Sequence, residues 1–239
     1  MNLAALEKEL ALHVTDRSLA KHFKDWINNA ILELAADYDL PTLKLMDAQE
    51  FDVTDDNWLF KAPDNFHKKI FQCRNGHFNH VTFQFQGRPL DLEHITRLNP
   101  AHDHIGERVR TVGVGYTGKD AYIGVHPRAN DTLHLWYYQK PAPLSKPTDE
   151  CACIPPEYHR RVLIPKIIIQ AWPMIIDQVE GTDLRPLQWW QGQLKEGLIG
   201  VPGGSMGLVP YLTKITGGPR RHGGRNPIGP GRFDFGGFY

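Results

Sequence analysis

Residues 130–178 read N-D-T-L-H-L-W-Y-Y-Q-K-P-A-P-L-S-K-P-T-D-E-C-A-C-I-P-P-E-Y-H-R-R-V-L-I-P-K-I-I-I-Q-A-W-P-M-I-I-D-Q, and the hydrophobic period changes partway along. The first part alternates as a strand does, with Leu133, Leu135 and Tyr137 on one face and His134, Trp136 and Tyr138 on the other. That strand ends at Pro141. A proline-spaced link then passes Ser145, Pro147 and Asp149 to Pro155-Pro156. Proline fits the first turn of a helix, because its missing N–H would be unpaired there in any case. A strand therefore hands over to a helix.

Downstream, Tyr158, Val162, Ile167, Ile168, Ala171, Ile175 and Ile176 define that helix, which is expected to kink or break at Pro165 and Pro173. A last helix is expected to start near Thr182 or Asp183 and to bury Leu187, Trp190, Leu194 and Leu198, with Gly192 and Gly197 weakening it. Upstream, Leu3, Leu6, Leu10 and Val14 make a short amphipathic helix. Thr15, Asp16 and Ser18 are cap candidates for a second helix, whose stripe is Leu19, Phe23, Trp26, Ile27, Ala30, Ile31 and Leu34. Pro41 ends it, since the residue before a proline is pushed out of helical backbone.

Between these helical parts, the periodicity is that of short strands, at 58–61, 69–74, 80–86, 108–114, 121–126 and 132–139. Asn75-Gly76 reads as a tight turn whose residues tolerate positive φ, and 116–120 reads as another. The early and late helices each have an apolar stripe that needs a partner, so they are expected to pack together. The predicted class is α+β: a bundle of N- and C-terminal helices (1–40 and 143–200), an inserted β-rich subdomain (41–142), and a loop with an extended C-terminal arm (201–239).

The arm is the least globular part. Residues 216–239 carry Arg220, Arg221, Arg225 and Arg232 against one acid, Asp234, and finish with Phe233, Phe235, Phe238 and Tyr239. Ordering such a segment costs about 1–2 kcal/mol per residue, and each aromatic side chain contributes only about 1.5–3 kcal/mol when buried. The arm cannot fold on itself and is expected to become ordered on a partner.

Composition excludes several classes. The 239 residues are 41% hydrophobic and 23% charged with zero formal net charge, so the body is globular and is no electrostatic glove for nucleic acid. The most apolar run, 162–179, is broken by Pro165, Lys166, Gln170, Pro173 and Asp177, so no membrane association is expected. Residues 1–13 lack the pattern of a signal peptide. Cys73, Cys151 and Cys153 are too few for a disulfide framework and are expected to stay thiols. A metal at Cys151-Ala152-Cys153 would need Cys73 and His77 besides, and the paired C-x-x-C spacing is absent, so no metal or cofactor is expected. His102-Asp103-His104 has no second matching cluster, and no nucleophile elbow, phosphate loop or H-E-x-x-H occurs, so no catalysis is expected. His159, Arg160 and Arg161 read as a solvated or inter-subunit face. The alternative function is nucleic-acid binding by the Arg-Gly-aromatic tail, for which four arginines are a thin charge.

Three stretches, in order, also resemble one known family. Residues 133–144 (L-H-L-W-Y-Y-Q-K-P-A-P-L), Thr148-Asp149 and the helix opening at 154–164 (I-P-P-E-Y-H-R-R-V-L-I) are the first. Trp26-Ile27-Asn28-Asn29-Ala30-Ile31-Leu32-Glu33-Leu34 and Ala62-Pro63-Asp64-Asn65-Phe66 are the others. Over residues 16–195 the chain resembles the bacteriophage head-to-tail adaptor (connector) proteins. The resemblance implies a structural virion protein of the neck, made in the host cytoplasm. Its copies would form a ring, twelvefold in the family, between portal protein and tail or nozzle proteins, with genomic DNA passing through the lumen without sequence-specific binding. It also implies that Arg220, Arg221, Arg225, Arg232, Phe233, Phe235, Phe238 and Tyr239 form a portal-binding arm. Tyr158, His159, Arg160 and Arg161 are the candidates for contact between subunits. The chain departs from the family pattern in a longer β insertion and a more extreme tail.

Overall fold

A computed structural model describes residues 1–54, 56–85, 107–117, 120–127, 129–176 and 185–216. Strand β7 (Asp131–Gln139) separates two hydrophobic cores. Leu133, Leu135 and Tyr137 on one face are fully buried in a core made by the strands, while Tyr138 on the other face belongs to a core made by the helices. At Tyr138 the alternation seen in the sequence is therefore a division between two interiors, whereas His134 on the same face pairs with the exposed Glu50.

β7 is the centre of a three-stranded antiparallel sheet, flanked by β1 (Gln49–Val53) and β3 (Phe66–Asn75). Phe51 and Cys73 lie opposite Leu133 and Leu135, and Ile70 lies opposite Tyr137. The second sheet has the order β2 (Leu59–Lys61), β6 (Asp120–His126), β5 (Thr111–Thr117), β4 (Thr82–Phe85). Its pairs are antiparallel except β4 with β5, which is parallel. Val112, Val114, Ile123 and Val125 of this sheet share one core with Val53, Ile70 and Leu135 of the first.

β1 was absent from the expected strands, for a physical reason. Its sequence, QEFDV, has three polar residues and only Val53 fully buried, so it lacks intrinsic strand character and is held by pairing with β7. The chain does reverse after Asn75-Gly76, but not as an Asn-Gly hairpin. Phe78 N donates to Asn75 O at 2.7 Å, Asn75 Oδ1 accepts from the His77 and Asn79 amides, and the positive φ (58°) falls on Phe78. The strands on either side enter different sheets. At the other expected turn, Thr117 lies opposite Asp120 in a hairpin register.

The helical side begins with α1 (Leu3–Leu10), capped by Asn2 Oδ1 accepting from Ala5 N at 2.9 Å. Asp16 caps the following 3-10 turn, Arg17–His22, through Ser18 N at 2.7 Å. α2 (Phe23–Asp37) follows with its whole predicted stripe buried. Its C-terminus is closed from the sheet: Lys68 Nζ of β3 donates to Ala35 O at 2.7 Å and Tyr38 O at 2.6 Å, and pairs with Asp39 at 3.1 Å. A cation is favourable there because the last carbonyls of a helix are unpaired and carry its negative dipole end.

After the link, Pro156–Tyr158 forms a 3-10 turn, His159–Leu163 a π-helical turn, and Ile164–Ile176 the α-helix α3. Pro165 sits where the π turn gives way to α3, and Pro173 lies inside α3. α4 (Arg185–Ile199) is described from Arg185 onward, so the expected start at Thr182 or Asp183 lies outside the described residues. Leu187, Trp190, Leu194 and Leu198 on it are half-buried. A further helix, α5 (Leu208–Thr216), occupies part of the stretch expected to be loop, and buries Leu208 and Leu212 in the helical core. Pro210 lies in its first turn, where proline is tolerated. Leu6, Leu10, Ile27 and Leu34 from the early helices meet Ile154, Leu163, Ile167 and Leu208 in one cluster, each contributing about 1.5–3 kcal/mol by burial. The chain is α+β.

Candidate functional site

The four residues expected at a subunit face divide two and two. Tyr158, His159, Val162 and Leu163 recur at three- and four-residue spacing and so share the side of the helix that meets the core. Tyr158 is 3% exposed and its hydroxyl reaches the Met206 and Gly207 carbonyls, each at 3.3 Å. His159 is fully buried, with Nε2 at 2.8 Å from Ile154 O and Nδ1 at 2.8 Å from the Met1 amine. With Nε2–H donating to the carbonyl, Nδ1 is the acceptor, so both ring nitrogens are satisfied. The reading of His159 as part of a solvated face is therefore corrected: a histidine with two partners is accommodated in the interior.

The arginines do reach the surface. Arg160 forms a two-point pair with Glu9, Nε to Oε1 and Nη2 to Oε2 both at 3.2 Å, and its side chain remains 71% exposed. Arg161 Nη1 donates to Met206 O at 3.4 Å. These pairs tie the π turn to α1 and to the loop before α5, and they leave guanidinium surface open to a partner.

Sequence reasoning missed a groove between α2 and α3. Trp26, Asn29, Leu32, Glu33, Gln170 and Met174 line about 440 Å³. Leu32 and Met174 are 44% and 50% exposed at its lips. Both polar atoms of the Gln170 amide are buried without a hydrogen-bond partner among the described residues. Such atoms are rare because each costs its desolvation, and an approaching backbone offers a C=O to the amide N–H and an N–H to the amide oxygen. The available signal was Gln170 itself, a polar residue within the apolar run of α3. A second apolar region follows α4 and α5, where Trp189, Ile199, Val201, Met206, Val209 and Ile215 are exposed.

The arm residues expected to bind the portal, Arg220 to Tyr239, and His102-Asp103-His104 lie outside the described residues. The cysteines are not brought into one cluster. Cys73 belongs to the sheet core, and Cys151 to the helical core, with Cys153 packed against it. Cys151 Sγ and Cys153 Sγ are 3.9 Å apart. The hydrogen bond from Cys153, opposed by burial and assisted by His159, brings the Cys151 thiol down to about 5. The same hydrogen bond, with burial, pushes Cys153 far up. Burial, with the charge of Asp131, pushes Cys73 up to about 12. Among the described residues, no group of three His, Cys, Asp or Glu side chains is placed to hold a metal ion, and no helix is long and apolar enough to cross a membrane.

A comparison with curated proteins gives no match. The model of one protein family, described as SU10 adaptor protein, matches residues 1–207. The match spans both sheets, the link and α1 to α4, and it stops at the Gly207 carbonyl to which Tyr158 is bonded. By this match over most of its length, the chain belongs to the SU10 adaptor protein family.

Proposed function

We propose that this protein is a structural head-to-tail adaptor of a phage virion, whose copies form a ring joining the portal to the tail. One observation carries the reading: the adaptor family match covers residues 1–207, and so takes in the sheet core, the strand between the cores and every buried residue of the helical core but Leu208 and Leu212. The family is one of structural proteins, not of enzymes, and its adaptor role goes with the neck of the virion.

In this reading the architecture is a helical bundle with the β part inserted as a subdomain. Neighbouring subunits meet on bundle surfaces, with Arg160 and Arg161 as candidates from the π turn and the α2–α3 groove as a further contact. The β subdomain faces tail components, and residues 217–239 reach to the portal, with Arg220, Arg221, Arg225 and Arg232 and the closing aromatics Phe233, Phe235, Phe238 and Tyr239 making the contact. The ring is twelvefold and DNA passes through it. Zero net charge supports passage, since a strongly basic lumen would hold phosphates by counterion release. Repetition of a weak arm around a ring raises its hold through effective concentration.

Electron microscopy of the protein mixed with the portal of its own phage tests this. An added ring of density with the portal's symmetry is the expected result. A bare portal beside folded monomer would rule out the portal as partner.

A further inference from the structure

The adaptor reading makes no use of the Cys151-Ala152-Cys153 segment in the link between β7 and the late helices. The two sulfurs are 3.9 Å apart, and a covalent bond of about 2.05 Å requires a closing movement of about 2 Å. Both side chains are short, and the backbone between them bends, Ala152 and Cys153 lying in a turn. The bend shortens the span below its extended limit of about 7 Å, toward the separation that a disulfide takes. Both cysteines line a cavity of about 200 Å³ together with Ile31, Thr42, Leu43 and Leu144. Cys151 is 4% exposed and Cys153 half-buried, so this cavity is the side from which a reagent meets them.

We propose that Cys151 and Cys153 are a redox-active dithiol, which a low-molecular-weight disulfide of the glutathione class converts to an intramolecular disulfide. Cys151 attacks as thiolate on one sulfur of the reagent. A mixed disulfide forms on Cys151, and the first reagent thiol leaves and takes up a proton. Cys153 then gives up its proton and attacks the Cys151 sulfur, expelling the second reagent thiol. Two protein thiols become one disulfide while the reagent's disulfide becomes two thiols, so two electrons pass to the reagent.

The surroundings assign the roles. The hydrogen bond from Cys153 favours the charged form of Cys151, as an attacking sulfur requires, and Cys153 keeps its proton for the second step. Cys73 lies in the other core and is fully buried, so it has no access to this chemistry. The link is already strapped at this point, by Cys151 N to Met1 O at 3.2 Å and by Thr42 Oγ1 to Cys153 O at 3.1 Å. Closing the disulfide fixes the short stretch between those two straps.

The test uses the reduced full-length protein treated with glutathione disulfide under native conditions, followed by intact mass and peptide mapping. The expected product has lost two hydrogens, with the bond inside the peptide that holds Cys151 and Cys153 and with Cys73 still free. Alkylation of Cys151 by iodoacetamide is expected to slow between pH 8 and pH 6 by much less than the about 80-fold of an ordinary thiol. The Cys153→Ser variant should stop at one glutathione on Cys151, and Cys151→Ser should not react at pH 6. Unchanged thiols in the native protein, a persistent single adduct without substitution, or a bond to Cys73 or to a second chain would each overturn the proposal. The unsubstituted protein decides this even where a variant fails to fold.

Discussion

A Cβ on Gly197 of α4 would stand 2.0 Å from the carbonyl oxygen of Arg161. Four residues after that carbonyl stands Pro165, which has no N–H to give it an α-helical hydrogen bond. The carbonyl is left facing the neighbouring helix, and only a glycine lets the two backbones approach so closely. Val162 Cγ2 would also lie 2.9 Å from the added carbon. By contrast, nothing lies within 4 Å of a Cβ on Gly192 of the same helix.

The two glycines of α4 should therefore respond oppositely to alanine. Gly192→Ala is expected to stabilise the protein by about 0.5–1 kcal/mol through helix propensity alone. Gly197→Ala is expected to destabilise it by about 1–3 kcal/mol, because α4 must move off the π turn. Urea unfolding midpoints of the two variants check this, and an equal shift in the same direction would refute the close-approach account.

Lys68 and Asp39 couple the sheet to the end of α2. Burial pulls the Lys68 ammonium below the ordinary lysine value, with Asp39 opposing it. Burial pushes the Asp39 carboxyl up, but the hydrogen bonds and charges of Lys69 and Lys68 outweigh that and hold it below the usual carboxylate value. A depressed carboxylate contributes stability that is present above its unfolded value, about 3.9, and is lost as pH falls through the lower folded value. Asp39→Asn should thus flatten the acid limb of the stability curve below about pH 4. Lys68→Met should cost about 2 kcal/mol by uncapping the α2 carbonyls. Thermal melts from pH 2 to 7 measure the first and urea unfolding at pH 7 the second.

Gln170→Leu should raise the stability of the free chain by about 1–3 kcal/mol, since it removes a buried amide with both polar atoms unpaired. If the α2–α3 groove receives a backbone in the assembled ring, the same change should weaken assembly. Melting temperature and ring formation, read by analytical ultracentrifugation with the portal present, should then move in opposite directions.

Deleting residues 217–239 is expected to leave the melting temperature within a few degrees of the intact chain, because both cores lie upstream. Portal docking should be lost. Equal binding by truncated and intact protein in a pull-down on the portal would remove the arm from the adaptor reading.

Local pattern made the elements legible. Leu19 to Leu34 repeat at helical spacing and Leu133 to Tyr138 alternate, because a helix and a strand each impose their own period on the residues they bury. The family resemblance was legible for the same reason, being carried by the order of these elements. Elements supported by distant contacts were not legible: β1 has little strand character without β7, and α5 hides behind Gly-rich flanks until Leu208 and Leu212 meet the helical core.

The sequence by itself determined the α+β class, the two helical parts around a strand-rich middle, and the prolines that bound them. Tertiary structure alone decided that β7 contributes to two interiors, that His159 lies inside while Arg160 lies outside, and that Gly197 is required where Gly192 is not. The physical reason is the range of the interactions. Propensity, period and capping act within a few residues, whereas burial, a close approach of two backbones or an unpaired amide depends on what the folded chain brings alongside.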